Sequence, residues 1–240
     1  MIEMVRRFLR QKFGSPAMVI ALSLLAILTA VQGTLSEPEQ ALGAGFLAIL
    51  LIAAGSVSRD ISGGTIQMIL ARPIARTSYL YGRYLGILAV YAVFLAVSAA
   101  LTVLATRLLP TLIGAGTPGA SLDSILRGIA IAMANALLFA AILLFFSTFL
   151  RGYSDVLAYF GLMIFLGAMP GLGAALRKPW LARAGEVLRS NLLPQVDWSG
   201  ILRGRGLLGE PTGRWVLAVT AFLALATVIF SRREFSYGQD

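Results

Sequence analysis

Six uncharged apolar runs constrain this chain more than any other feature. They cover residues 16–35, 41–58, 84–106, 128–150, 156–176 and 215–231. A bilayer's hydrocarbon core, about 30 Å thick, is crossed by roughly 17–25 helical residues, and every run falls in that window. Lipid offers no water to the backbone, so a spanning segment must satisfy its own N–H and C=O groups as a helix. Composition agrees. Hydrophobic residues make up 58% of the 240 and charged residues 13%, about half the usual charged share of a soluble domain. Mean hydropathy is +0.83. The expected fold is an all-α membrane protein with six transmembrane helices in a single domain over 1–240. The first run is longer than the ~7–15 residues of a signal-peptide core and lacks a clean A-x-A site, so it reads as a retained span.

Six crossings place both termini on one side. That side receives Arg6, Arg7, Arg10, Lys12, Arg59, Arg72, Arg76, Arg83, Arg151, Arg232 and Arg233. The other receives Arg107, Arg127, Arg177, Lys178, Arg183, Arg189, Arg203, Arg205 and Arg214. The richer side is expected to be cytoplasmic, in a cell (inner) membrane. The bias is small because 177–214 is basic. "MPGLG" at 169–173 offers an alternative, since a break there would make span five re-entrant and bring 177–214 to the inside. The net charge of +9 comes in clusters between apolar runs. That pattern orients a chain in a bilayer, and no nucleic-acid partner is expected.

Two polar segments have helical amphipathicity. In 1–14, Met1, Met4, Val5, Phe8, Leu9 and Phe13 share one face, and Glu3, Arg6, Arg7 and Arg10 the other. This reads as an interfacial helix with its basic side toward anionic lipid heads. In the outer segment 177–214, Trp180, Leu181, Ala184, Val187, Leu188 and Leu192 share a face opposite Arg183, Glu186, Arg189 and Ser190. This helix is expected to lie flat on the outer surface, to pack on protein, or both.

Between spans two and three, 59–84 reads "RDISGGTIQMILARPIARTSYLYGRY". Gly63–Gly64 is expected to break the helix of span two. "TIQMILA" then has helical spacing, with Ile66, Ile69 and Leu70 on one face. Arg72 precedes Pro73 and is pushed out of the α region, which stops the helix. Thr77 or Ser78 can cap span three. The outcome is a cytoplasmic helix of about two turns within 59–78, too short to be stable alone. Its apolar face packs either on this chain and the lipid headgroups or into a groove of a soluble partner.

Asp60, "GGT" at 63–65 and "ILARPIAR" at 69–76 resemble the signature of permease subunits of ABC transporters of the type-two exporter class. "LLPQVDW" at 192–198 and "RREF" at 232–235 are similar to segments of the same family, so the resemblance covers essentially the whole chain. Ala75 stands where a Ser is common in that family. The resemblance implies that Asp60, Gly64, Thr65, Ile66, Ile69, Leu70, Pro73 and Arg76 form a coupling segment docking on a separate ATP-binding cassette subunit. It also implies that Arg151, in the loop 150–156, touches that subunit. It further implies a second permease subunit, in a homodimer or heterodimer, and export driven by ATP.

The chain contains no cysteine and no histidine. That removes disulfides, thiolate or imidazole metal sites and histidine-based triads. No G-x-x-x-x-G-K-[ST] occurs either. The chain is therefore expected to be no enzyme itself and to hold no cofactor or metal, ATP being bound by the partner subunit. The uncharged runs hold no ionisable residue, which weighs against a proton- or ion-coupled carrier. A secondary transporter or channel without an ATPase partner is the alternative, as is a mechanotransmission or scaffold subunit that moves no substrate.

Overall fold

A computed structural model of the chain describes residues 2–43, 45–63, 66, 75–113, 121–150, 153–204 and 209–233. The described residues form helices and connections, with no strand among them. The helices are α1 (Ile2–Phe13), α2 (Pro16–Leu35), α3 (Pro38–Gly43), α4 (Phe46–Ala53), α5 (Ser58–Ser62) and α6 (Arg76–Ile113). They continue with α7 (Leu122–Phe149), α8 (Ser154–Ala175), α9 (Pro179–Leu192), α10 (Trp198–Leu202) and α11 (Glu210–Arg232). Six segments are long and apolar enough to cross a bilayer: Pro16–Leu35, Pro38–Ser62, Arg76–Leu108, Leu122–Phe149, Ser154–Gly173 and Glu210–Arg232. The protein is an all-α, multi-pass membrane protein.

Most of these segments start earlier than the uncharged runs. The third takes in Arg76 and Arg83, the fourth Asp123 and Arg127, the sixth Glu210 and Arg214. A charge near a helix end does not interrupt the backbone when it can pair or reach the interface. Arg83 is nevertheless buried, as are Glu39, Asp60 and Asp155. The spanning helices thus carry ionisable groups that the charge-free runs did not contain. Thr77 and Ser78, expected as caps, lie inside the first turn of α6. Pro170 sits inside α8 without ending it, so "MPGLG" is no break in the helix.

Two compact units make up the chain. The first comprises Met1–Ala53 and Ser78–Ala140. Here α1 is anchored by Phe8, which is 1% exposed. A Cβ on Gly86 of α6 would stand 2.9 Å from the Phe8 ring, so only glycine leaves that ring its place. The Arg83 guanidinium covers the same ring at 5.1 Å and donates to Gln11 Oε1 at 3.0 Å and to the Tyr79 hydroxyl at 3.3 Å. The amphipathic helix is therefore pinned to α6 along one line of residues, while Ile2 remains exposed. Elsewhere in this unit the Tyr84 hydroxyl donates to the Leu137 carbonyl at 2.9 Å. Arg127 pairs with buried Glu39 at 3.2 Å and also with Asp123.

The second unit comprises Ala54–Thr77 and Ala141–Asp240. Phe145 of α7 meets Phe222 of α11 edge-on at 5.6 Å. The helices α8 and α9 form an antiparallel pair. A Cβ on Gly173 would collide with Ala182, and one on Gly185 with Met169 and Pro170. The contacts run in opposite order along the chain, and small residues let the backbones approach. One side of α9 thus packs on protein, while Trp180 (64%) and Val187 (58%) on another side stay exposed.

Candidate functional site

The second apolar segment is not one continuous helix. α4 ends at Ala53, residues 54–57 turn, and α5 resumes at Ser58. Gly55 has φ +63°, a left-handed conformation that costs an L-residue with a side chain roughly 1–2 kcal/mol. The break expected at Gly63–Gly64 is thus preceded by one at Gly55. Gly63 closes α5 at φ −88°, which any residue adopts, and Gly64 lies outside the described residues.

Interrupting a helix inside an apolar segment leaves backbone N–H groups without carbonyl partners, and these must be met by side chains. Two buried residues meet them here. The Gly55 N–H donates to Asp155 Oδ2 at 2.9 Å. The N–H groups of Val57 and Ser58 donate to the Ser147 hydroxyl oxygen at 3.0 and 2.9 Å. Ser147 lies in the last turn of α7. Asp155 lies in the first turn of α8, where the helix dipole favours a carboxylate, and its Oδ1 also accepts the Val156 N–H at 2.9 Å. Both Asp155 and Ser147 are 0% exposed. The side chains of α7 and α8 therefore hold the break in the second span.

A second node joins helix ends. Arg76, the first residue of α6, donates through Nη1 to the carbonyls of Ser231 at 2.8 Å and Arg233 at 3.1 Å. Those carbonyls close the C-terminus of α11, where a cation offsets the unpaired acceptors and the negative end of the dipole. Arg233 in turn donates to the Thr148 carbonyl near the end of α7. On α5, Arg59 stacks over the Tyr153 ring at 5.4 Å.

Among the residues expected to dock a partner, Asp60, Ile66 and Arg76 are described. Asp60 is buried, and Ile66 is 1% exposed, so their side chains face this chain rather than a surface. Arg76 is exposed and engaged with the end of α11. Gly64, Thr65, Ile69, Leu70, Pro73 and Arg151 lie outside the described residues. Gly55, Ser147 and Asp155 are not among the residues the sequence marks as a site. Gly55 alone has a signal, the unusually polar, glycine-bearing "AGSVS" at 54–58 inside an apolar run. Among the described residues no group of three or more acidic side chains converges on a metal-sized site.

What the arrangement can do is mechanical: residues 55–58 and residue 76, flanking the polar segment, are tied by hydrogen bonds to the ends of α7, α8 and α11.

A family model described as "Protein of unknown function (DUF2705)" matches residues 29–236. No curated protein matches the chain.

Proposed function

The chain belongs to the DUF2705 family, and we propose that it is the membrane-spanning permease subunit of an ATP-driven ABC transporter of the type-two exporter class. In this reading it sits in the cell (inner) membrane with both termini cytoplasmic. It pairs with a second permease subunit, and a separate ATP-binding cassette subunit binds and hydrolyses the nucleotide. The resemblance of Asp60, 63–65 and 69–76 to the coupling signature supports it, as does the set of six apolar helices.

The observation that carries the proposal is the bracketing of the polar segment. On its N-terminal side, Asp155 and Ser147 grip residues 55, 57 and 58. On its C-terminal side, Arg76 grips the end of α11. A push on the segment enters α7 and α8 through the first grip and α6 and α11 through the second. Gly55 sets the point where the second span bends. Asp60 and Ile66, both buried, seat the segment on its own chain, which leaves contact with the ATPase to its other faces.

The test is whether the tagged full chain, purified from its native cells, carries a P-loop ATPase with it, followed by ATPase measurement of the complex in lipid vesicles. A stable complex whose hydrolysis rate depends on this chain is the expected result. Transport by the chain alone under an ion gradient, with no ATPase bound, would overturn the proposal in favour of a secondary transporter.

A further inference from the structure

A cleft of about 280 Å³ lies between the C-terminal half of α9, the turn at 193–195 and the first turn of α11. Its polar lining is Glu186, Arg189, Ser190, Gln195, Glu210 and Arg214, with Leu193, Pro194 and Pro211 as apolar wall. Nothing in the proposed coupling role uses it.

Three observations define what it can hold. The first is depth. Glu210 starts a helix of membrane length, so the first turn of α11 marks the water boundary. Trp215, one turn further in, meets Trp198 edge-on at 5.2 Å, and paired indoles are what headgroup depth favours. The second is charge. Two guanidinium and two carboxylate groups line the cleft, which gives no advantage to a simple anion. Arg214 is paired with Glu210, whereas Arg189 and Glu186 have no side-chain ion pair with any described residue. One donor fork and one carboxylate are therefore available on the same face of α9. The third is size. The volume equals that of roughly nine waters at ~30 Å³ each, enough for a phosphate joined by two carbons to an ammonium, with its chains left outside. Val187, next to Glu186 on α9, is exposed apolar surface on which such chains can lie.

We propose that this cleft binds the zwitterionic headgroup of a membrane phospholipid, the phosphate on Arg189 and the ammonium on Glu186. Arginine suits phosphate because its planar fork donates two parallel hydrogen bonds. The assignment does not depend on any ATPase partner.

The test uses the full chain in detergent, with tryptophan fluorescence and unfolding temperature read during titration. The probes are short-chain phosphatidylethanolamine, short-chain phosphatidylglycerol and soluble phosphoethanolamine. Saturable binding of phosphatidylethanolamine, stronger than that of the other two, is expected. Arg189→Ala and Glu186→Gln should each weaken it by about tenfold or more, the loss of one charge-assisted hydrogen bond. Arg183→Ala, on α9 but outside the cleft, should leave it unchanged, and all three variants should match the parent's ligand-free unfolding temperature. Equal binding of phosphatidylglycerol, or binding of phosphatidylethanolamine indifferent to both cleft variants, would overturn the zwitterion assignment. Equal binding of soluble phosphoethanolamine would overturn the lipid assignment.

Discussion

The Asp155 carboxylate accepts the backbone N–H of Gly55 at 2.9 Å across 100 residues of sequence. It occupies the place a helical carbonyl would fill if the second span were continuous. Losing a buried acceptor and leaving its donor bare costs about 1–3 kcal/mol. Asp155→Ala should therefore lower the unfolding temperature in detergent, and Asp155→Asn, which keeps a carbonyl oxygen, should lower it less. Equal effects of the two would mean that the hydrogen bond to Gly55 is not what the carboxylate supplies.

Gly55 invites a complementary measurement. At φ +63° a methyl group is strained by roughly 1–2 kcal/mol. Gly55→Ala is expected to destabilise the chain or straighten the second span, whereas Gly63→Ala, at φ −88°, is expected to be close to neutral. Thermal unfolding of the two variants side by side reads the difference directly.

Legibility followed the physics of each level. Six apolar runs are visible in sequence because a membrane crossing needs a minimum length of uncharged residues, and α2 matches its run, 16–35, at both ends. Helix starts were less visible. Arg83 and Arg214 mark the ends of uncharged runs, but a helix tolerates a charge that finds Gln11 or Glu210. The interruption at Gly55 was hidden for a different reason. A break in a span becomes tolerable only when distant residues supply acceptors, and nothing local to 54–58 announces Ser147 or Asp155. The side of α9 that packs on α8 was hidden likewise, because Gly185 carries no hydrophobic signal of its own.

The docking of α1 centres on one aromatic ring. Phe8 is buried against Gly86 and beneath Arg83. Truncating a buried phenylalanine costs about 3–5 kcal/mol, more than a twelve-residue helix can spare on its own. Phe8→Ala or Gly86→Leu should release α1. The parent chain contains no cysteine, so a single cysteine at position 5 is a clean reporter. Its modification by a water-soluble maleimide should accelerate in both variants relative to the same reporter in the parent.

Asp197 offers a pH test outside the spans. The Gly200 N–H, then the Ser199 hydroxyl and nearby Arg203, hold its carboxyl below the usual carboxylate value. It caps α10, accepting Gly200 N–H at 2.9 Å. A depressed folded value means that the contribution is present above the unfolded pKa, about 3.9, and is lost as pH falls through the lower folded value. Trp198 begins α10 and touches Trp215. Its fluorescence should therefore hold steady from pH 7 to about 4 and change below, and Asp197→Ala should remove that acid transition.

Coupling is best tested at Arg76 rather than Ile66. A carboxylate at Ile66, 1% exposed, would be a buried unpaired charge, and Ile66→Asp should reduce the yield of folded protein whatever the function. Arg76 is exposed, so its removal spares the core, yet its Nη1 donates to both the Ser231 and Arg233 carbonyls. If force from an ATPase passes through the start of α6 into α11, Arg76→Ala should lower partner-stimulated hydrolysis several-fold at unchanged yield. Arg76→Lys keeps a cation at the helix terminus and should retain part of the stimulation. Full stimulation in Arg76→Ala would show that the end of α11 plays no part in transmitting the stroke. That outcome would leave Asp155 and Ser147 as the route into the spans.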